Sequence, residues 1–180
     1  IFFIAYKGNN SIFERLLSTF DVIGLNDNEK NFWDSHYGAH YLTSIEIFKN
    51  HPIIGSGPKT FRVECSKEEY SKINSDLREI RCSTHPHNIY FQLLSEVGAV
   101  GISLFIIFVI YVLKIFYNYY NKNDYLFISI YLSIIIFLWP IKSTGSIFNN
   151  RYALFLYYLI MLIFILIEKN KKNQSTLLKS

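Results

Sequence analysis

Residues 97–113 read VGAVGISLFIIFVIYVL, 17 residues without a charged side chain. Two further uncharged runs follow, residues 125–141 with 17 residues and residues 152–167 with 16. A membrane-spanning helix needs about 20 apolar residues, with a lower limit near 17. A short run can be extended by a snorkelling side chain such as Lys114 or by aromatic residues at its ends. Because the runs are apolar on every face, three buried helices of a soluble domain are the weaker interpretation. The sequence predicts an all-α integral membrane protein.

Charged residues divide the 180-residue chain into two parts. Residues 1–96 hold 10 Lys and Arg against 12 Asp and Glu, together with all five histidines and both cysteines, whereas residues 97–180 hold 8 against 2. Only 18 % of all residues are charged, compared with about a quarter in soluble domains. We therefore expect a polar segment (residues 8–96) followed by membrane helices.

The positions of lysine and arginine predict the orientation. Lys114, Lys122 and the basic tail flank one side of the three runs, whereas the link between the second and third runs carries only Lys142 and Arg151. An excess of these residues marks the cytoplasmic side, so the polar segment is expected outside, in the periplasm or its equivalent.

The expected organisation follows from these runs and loops. The first residues, IFFIAY, lack the basic start and cleavage site of a signal peptide, so we expect the chain to be the C-terminal part of a larger polytopic protein. The expected parts are the end of a truncated transmembrane helix (1–7), a periplasmic loop (8–96), a transmembrane helix (97–117), a cytoplasmic loop (118–124), a transmembrane helix (125–141), a short periplasmic loop (142–151), a transmembrane helix (152–167) and a basic cytoplasmic tail (168–180).

Helical patterns dominate the polar segment. Apolar spacing predicts a helix over residues 41–50. Ser66 and Glu69 fit a capping box, which predicts a helix over residues 70–80. A third helix is expected to start near His87 and to continue into the first membrane run.

Cys65 and Cys82 bracket the second of these helices. The favoured interpretation is a disulfide, which persists outside the cytoplasm and would contribute about 3 kcal/mol by loop closure. Two free thiols remain a second possibility. A metal site with His85 and His87 is the least favoured, since the spacing does not match that of structural zinc sites.

The densest polar chemistry is residues 83–88, STHPHN, directly before the first membrane run. A neutral imidazole there can accept a proton from a hydroxyl near pH 7 at the membrane surface. Considered alone, His85 and His87 are better interpreted as ordinary loop residues, with His87 helping to cap a helix.

Two blocks resemble known motifs. Residues 87–101 match the pattern His-[Asn/Ser/Gln]-x9-Gly-x2-Gly of bacterial O-antigen ligases, with Gly98 and Gly101 as its glycines. Their surroundings, residues 85–101 (HPHNIYFQLLSEVGAVG), are similar to the same element in the wider ligase and polymerase superfamily. Residues 47–57 (IFKNHPIIGSG) resemble that superfamily's Phe-x3-Pro-x2-Gly-x-Gly segment, which belongs to the same periplasmic loop.

The resemblance implies a GT-C-like polytopic helical bundle in the bacterial inner membrane. It implies an inverting glycosyltransferase, without metal or other cofactor, that moves a glycan from undecaprenyl diphosphate to a hydroxyl of lipid A-core or another glycan acceptor. His87 would deprotonate or orient that hydroxyl. Membrane lipid is an expected partner and nucleic acid is not.

The resemblance also implies arginines that hold the diphosphate, for which a guanidinium suits better than an ammonium. Many relatives carry an arginine shortly before the Phe-x3-Pro block, where this chain reads SHYGAH at residues 35–40. Arg62 is the favoured substitute because it closely follows the turn at residues 55–58. The other candidates for diphosphate or acceptor binding are His36, His40, Arg78, Arg81, His85, Asn88 and Arg151.

Other functions remain open from the sequence. An O-antigen or polysaccharide polymerase and a protein O-oligosaccharyltransferase are the alternatives within the enzyme class. A non-catalytic polysaccharide-export or transporter subunit is the alternative outside it. Transport favours ionisable residues within the spans, and the three uncharged runs have none.

Overall fold

The computed structural model describes residues 32–70, 79–119 and 124–177. Helices and turns make up these residues, and no β-strand occurs among them. The α-helices are α1 (His36–Asn50), α2 (Phe61–Glu64), α3 (Ile89–Tyr119), α4 (Tyr125–Phe137) and α5 (Asn150–Leu177), with short 3-10 helices at Phe32–Asp34 and Glu68–Tyr70. The all-helical class is therefore confirmed for the described residues, while the expectation for residues 1–7 lies outside them.

Among the described residues, two helices are long and apolar enough to cross a membrane, α3 and the part of α5 from Asn150 to Lys169. Helix α4 has 13 residues, which span about 20 Å, less than the ~30 Å hydrocarbon core of a bilayer. It ends at Phe137 rather than at residue 141 because Pro140 disfavours helical geometry at the residue before it.

The three apolar helices pack through hydrophobic side chains. Their shared core includes Val112 of α3, Ile134 of α4 and Ile163 of α5. Large hydrophobic side chains also cover the outer faces, for example Leu104 and Ile107, which are 63 % and 61 % exposed. An apolar surface of this extent requires an apolar surrounding, so this part of the chain belongs in a membrane.

In the polar segment, α1 packs against the start of α3. The α1 helix begins after Ser35, whose hydroxyl accepts a hydrogen bond from the N–H of Gly38 at 3.1 Å, and it ends at Asn50, before Pro52. The rings of Tyr41 and Phe91 stack with centroids 4.3 Å apart. This packing brings the polar segment to one end of the membrane helices.

The capping box predicted at Ser66 is wrong. The Ser66 hydroxyl donates to the carbonyl of Val63 at 2.8 Å, so it bonds backward to α2 and does not cap a following helix. Residues Glu68–Tyr70 form a 3-10 helix. Residues 71–78 of the helix predicted there lie outside the described residues, and residues 79 and 80 form a turn instead of its end.

Candidate active site

The two sequence blocks interlock where α3 breaks. Gly98 adopts φ 65° and ψ −164°, which interrupts the helical hydrogen bonds of α3. The freed groups bond to the 52–57 segment instead: the N–H groups of Ser56 and Gly57 donate to the carbonyls of Ser95 and Glu96, and the N–H groups of Ala99 and Val100 donate to the carbonyls of Pro52 and Ile53, at 2.9–3.1 Å. Each block therefore satisfies backbone groups that the other leaves open.

Close approach explains the glycines at this junction. Gly55 and Gly98 both have positive φ, 70° and 65°. A Cβ at Gly98 would lie 2.6 Å from the carbonyl of Ile53, and one at Gly55 would overlap the backbone of Glu96. A larger side chain at either position would force the two segments apart.

His87 lies in a loop that is fixed at both ends. Its φ is 58°, an uncommon value for a non-glycine residue. Its carbonyl accepts a hydrogen bond of 2.7 Å from the N–H of Thr144. Next to it, the Asn88 side chain accepts from the N–H of Tyr90 at the start of α3 and donates to the carbonyl of Pro140. Asn88 therefore uses both ends of its amide to join the His87 loop to the connection between α4 and α5.

Three histidine rings meet at this loop. The ring of His87 lies 4.3 Å from that of His85 and 5.5 Å from that of His40, measured between centroids. The edge of Tyr37 approaches it at 5.8 Å, and the Ser83 hydroxyl is 3.0 Å from its Nε2. The sequence-predicted histidines are thus brought together, except that His36 is exposed in the first turn of α1.

Burial favours the neutral imidazoles of His40 and His87. Desolvation, followed by the neighbouring His85, lowers the pKa of His87 below its usual 6.5. Desolvation, followed by His87 and His36, lowers the pKa of His40 to about 4. A neutral imidazole can accept a proton, as general-base catalysis requires.

His85 connects this cluster to a cavity of about 540 Å³. Its Nε2 donates to the carbonyl of Thr144 at 3.2 Å, and its Nδ1 accepts from the Thr84 hydroxyl at 2.9 Å. We call this space the basic cavity; it is lined by Lys59, Arg62, Thr84, His85, Ser146, Asn149, Asn150 and Arg151. Three of these side chains are cationic and none is acidic.

Two walls of the basic cavity come from distant parts of the chain. Lys59 and Arg62, at the start of α2, form what we call the α2 wall, and residues 146–151, at the start of α5, form the α5 wall. Asn149 sets the position of Arg151 by accepting a hydrogen bond from its N–H at 3.2 Å. The structure therefore places the predicted residues Arg62, His85 and Arg151 around one space.

Arg81 lies elsewhere. It is 6 % exposed, and its Nη2 donates to the carbonyls of Ser66 and Lys67 at 3.3 and 3.1 Å. A disulfide joins Cys65 to the adjacent Cys82, with 5.3 Å between their Cα atoms. Arg81 and the disulfide thus tie the start of the 79–88 loop to the end of α2, while Arg78 lies outside the described residues.

The donor set of the basic cavity suits an anion. Lysine, arginine and asparagine N–H groups attract negative charge. Within residues 32–70, 79–119 and 124–177, no group of three His, Cys, Asp or Glu side chains is arranged to hold a metal ion.

Sequence reasoning missed Lys59 and the buried pair Gln92 and Glu96. The two buried side chains are 1 % and 0 % exposed and lie behind the basic cavity. The available signal was Glu96 itself, a carboxylate placed immediately before an uncharged run of 17 residues. Such a carboxylate is costly to bury unless hydrogen bonds satisfy it.

The chain matches a known protein family over a region that contains part of the candidate site. The model of the family described as O-antigen ligase matches residues 2–106, more than half of the chain. No curated protein and no solved structure matches it. The matched range includes both interlocking blocks and the three histidines of the cluster. The chain belongs to the O-antigen ligase family, whose membership indicates a membrane glycosyltransferase with a lipid-linked glycan donor and a glycan acceptor.

Proposed function

We propose that this protein transfers a glycan from undecaprenyl diphosphate to a hydroxyl of lipid A-core, with the diphosphate in the basic cavity and His87 as the general base. The observation that carries the proposal is that Lys59, Arg62 and Arg151 line one cavity together with His85, whose ring is 4.3 Å from that of His87. Family membership supports the reaction class.

Electrostatics favours the diphosphate at this place. Three cationic side chains face a cavity without an acidic one, and Arg62 and Arg151 each offer a fork of N–H donors that matches phosphate oxygens. As the sugar leaves, negative charge on the diphosphate grows. Fixed cations then stabilise the transition state more than the ground state.

A second cavity suits the lipid part of the donor. It measures about 340 Å³, and its lining is mostly hydrophobic, with Leu93 and Phe105 from α3 and Leu156 and Tyr157 from α5. Its remaining lining includes Ile147, directly after Ser146 of the basic cavity. A carrier with its diphosphate among the cations would therefore find apolar surface for its polyprenyl chain immediately beside them.

The reaction is a direct displacement. The acceptor oxygen forms a bond to the anomeric carbon while the bond from that carbon to the diphosphate oxygen breaks, which inverts the anomeric configuration. The proton of the acceptor hydroxyl moves to the neutral imidazole of His87, and undecaprenyl diphosphate leaves. The reaction balances without an oxidant, a reductant or a metal.

The proposal includes a GT-C-like bundle in the bacterial inner membrane, with residues 8–96 in the periplasm. The lysines near residues 114–122 and in the tail support this orientation. Cysteine labelling from outside should modify Asn74→Cys and spare Asn123→Cys. The reverse labelling would contradict both the orientation and the placement of the reaction.

The decisive experiment is transfer from purified undecaprenyl-diphosphate-linked glycan by the full-length protein in detergent or nanodiscs. Arg62→Ala and Arg151→Ala should each lower kcat/KM by about 10- to 100-fold, as expected for one lost hydrogen bond to a charged group. Lys49→Ala is the matched control, because Lys49 is an exposed cation paired with Glu46. Unchanged transfer in both arginine variants would refute the proposed site.

Lipopolysaccharide gels of cells with and without the full-length gene distinguish the ligase from its relatives. Loss of the whole ladder with core retained indicates a ligase. A single-repeat band indicates a polymerase, and an unchanged profile with lost protein glycosylation indicates a protein oligosaccharyltransferase.

A further inference from the structure

A buried carboxylate bonds directly to the α2 wall of the basic cavity. Glu96, in α3, is 0 % exposed, and its Oε1 accepts a hydrogen bond of 3.0 Å from the N–H of Phe61. Phe61 is the first residue of α2, and Arg62 follows it. The position of Glu96 therefore fixes where the Arg62 side chain starts.

The partner of this carboxylate bonds to the opposite wall. Gln92, one helical turn earlier, donates from Nε2 to Glu96 Oε2 at 2.9 Å and to Ser146 Oγ at 2.7 Å. Its Oε1 accepts from the N–H of Ile147 at 3.1 Å. These two residues begin the segment that leads to Arg151.

Gln92 and Glu96 thus form one continuous connection between the two cationic walls. Phe61 lies 35 residues before Glu96, and Ile147 lies 55 residues after Gln92, so neither wall is held in place by chain proximity to α3. Both side chains are buried, and neither lines the basic cavity.

We propose that the Gln92–Glu96 pair is a positioning element that sets the separation of Arg62 from Arg151 and thereby the affinity for the donor diphosphate. This inference rests on the proposed function of the basic cavity. It predicts that disturbing the pair weakens donor binding and leaves the proton transfer at His87 largely intact.

The direction of the hydrogen bonds provides a stringent test. At both ends of the connection the donor is a backbone N–H group, that of Phe61 at one end and that of Ile147 at the other. Each member of the pair must therefore offer an oxygen to its backbone partner, and between the two members one side chain must donate while the other accepts. In Glu96→Gln two amide NH₂ groups face each other where residues 92 and 96 meet, so that neither accepts a hydrogen bond. In Gln92→Glu two carboxylates face each other at the same place. The double exchange Gln92→Glu with Glu96→Gln restores an acceptor at each end and a matched contact in the middle.

The full-length protein in nanodiscs is assayed for donor KM, for kcat at saturating donor, and for inhibition by inorganic diphosphate. Each single variant should raise KM and the inhibition constant about tenfold or more, and kcat should also fall because the same cations stabilise the leaving diphosphate, while the acidic limb of the pH profile set by His87 stays in place. The double exchange should return KM and the inhibition constant to within about threefold of wild type. Single variants with an unchanged KM would overturn the proposal. A double exchange whose KM is raised as much as the effects of the two single variants combined would also overturn it.

A purely structural role would give a different pattern. It would lower the yield and melting temperature of the protein while the folded fraction keeps its KM. Should a single variant fail to fold, Gln92→Asn shortens a side chain that does not line the cavity, removes its reach to Ser146 and Ile147 and should raise KM about threefold or more; an unchanged KM in that variant would overturn the proposal.

The same assays separate this inference from the proposed function. If inorganic diphosphate does not inhibit wild-type transfer, or if Arg62→Ala does not raise its inhibition constant, the basic cavity is not the diphosphate site and both fail. If Arg62→Ala behaves as expected and the exchange does not rescue the singles, only the positioning role of the pair is wrong.

Discussion

The polar segment and the apolar helices bury different kinds of side chain. In α4 and α5, every buried side chain among the described residues is hydrophobic. In the described part of the polar segment, buried polar side chains are common: His40, Thr43, Ser44, Arg81, Asn88, Gln92, Ser95 and Glu96. Directional hydrogen bonds therefore hold the region with the candidate site, whereas shape and volume hold the helices that follow.

This difference predicts how the two regions respond to mutation. A hydrogen-bonded site loses function when one donor or acceptor changes, because the remaining partner is left unsatisfied. A hydrophobic core tolerates changes that conserve volume and patterning. The largest effects should therefore come from the polar segment.

His87→Ala should have the largest effect. Removing a general base typically lowers the rate about 10²- to 10⁴-fold, which corresponds to about 3–5 kcal/mol of activation free energy. The measurement is transfer from purified lipid-linked glycan with a chelator present. His51→Ala is the matched control, because His51 occupies one of the variable x positions of the Phe-x3-Pro-x2-Gly-x-Gly pattern. His85 is unsuitable as a control because it lines the basic cavity. Near wild-type transfer in His87→Ala would remove His87 from the mechanism.

Loss of the disulfide should come next. Cys65→Ser with Cys82→Ser opens a loop with a sequence separation of 17 residues and should lower the free energy of unfolding by about 3 kcal/mol. Thermal unfolding with and without reductant would show this loss in the wild type and no effect of reductant in the variant. Mass spectrometry of unreduced, alkylated protein should find neither thiol modified, and two alkylated thiols would contradict the bridge.

Gly98→Ala tests the junction between the two regions. The positive φ and the overlap with Ile53 should cost about 1–3 kcal/mol and displace the 52–57 segment. Ala99→Gly, the opposite change at the next residue, should cost only about 1 kcal/mol through helix propensity. Equal melting temperatures for wild type and Gly98→Ala would show that the junction tolerates a side chain.

Ile163→Val should leave function intact. Ile163 is 3 % exposed in the core of the apolar helices, and removing one methylene there should cost about 0.5–1.5 kcal/mol. Melting temperature and kcat/KM are the readouts. A tenfold loss of transfer would contradict the distinction between the two regions.

The pH dependence should give the smallest effect. Because burial lowers the pKa of His87 below 6.5, kcat/KM should keep more than half of its plateau value at pH 6.5, where an unperturbed imidazole base would be half protonated. A midpoint of the acidic limb at or above pH 6.5 would contradict the neutral, buried base.

The same burial affects stability. The unfolded chain binds a proton at His40 near pH 6.5, whereas the folded chain does so only near pH 4, so the free energy of unfolding should fall as the pH drops through this interval. His40→Gln should reduce that slope. An unaltered slope would assign it to other groups.

The sequence predicted the elements that depend on local patterns. Apolar spacing located α1, and uncharged runs located the three apolar helices, because these signals reside in neighbouring residues. Pro140 could also have revealed the early end of α4. The capping box predicted at Ser66 is wrong because a serine hydroxyl can bond to the backbone of either the following or the preceding turn. In the structure it donates to the carbonyl of Val63 in the preceding turn.

The candidate site was only partly predictable. The His-[Asn/Ser/Gln]-x9-Gly-x2-Gly pattern identified His87. Arg62 was favoured because it closely follows the turn at residues 55–58. Arg151 was a weaker candidate from its position beside the third uncharged run, but the sequence did not show that it shares a cavity with Arg62, since the two arginines are brought together by the Gln92–Glu96 connection through α3. Long-range hydrogen bonds of this kind leave no periodic trace in a sequence.

The hydrogen bond from Thr144 to the carbonyl of His87 has a consequence for the biosynthesis of the protein. Thr144 is made 57 residues after His87, which takes about 3–11 s at ribosomal rates of about 5–20 residues per second. During that interval the His87 loop has neither this partner nor the arginine at the start of α5. We therefore expect a ribosome-bound chain that ends before Thr144 to be inserted in the membrane yet unable to position its base, so that glycan transfer begins only once Thr144 and Arg151 have been made.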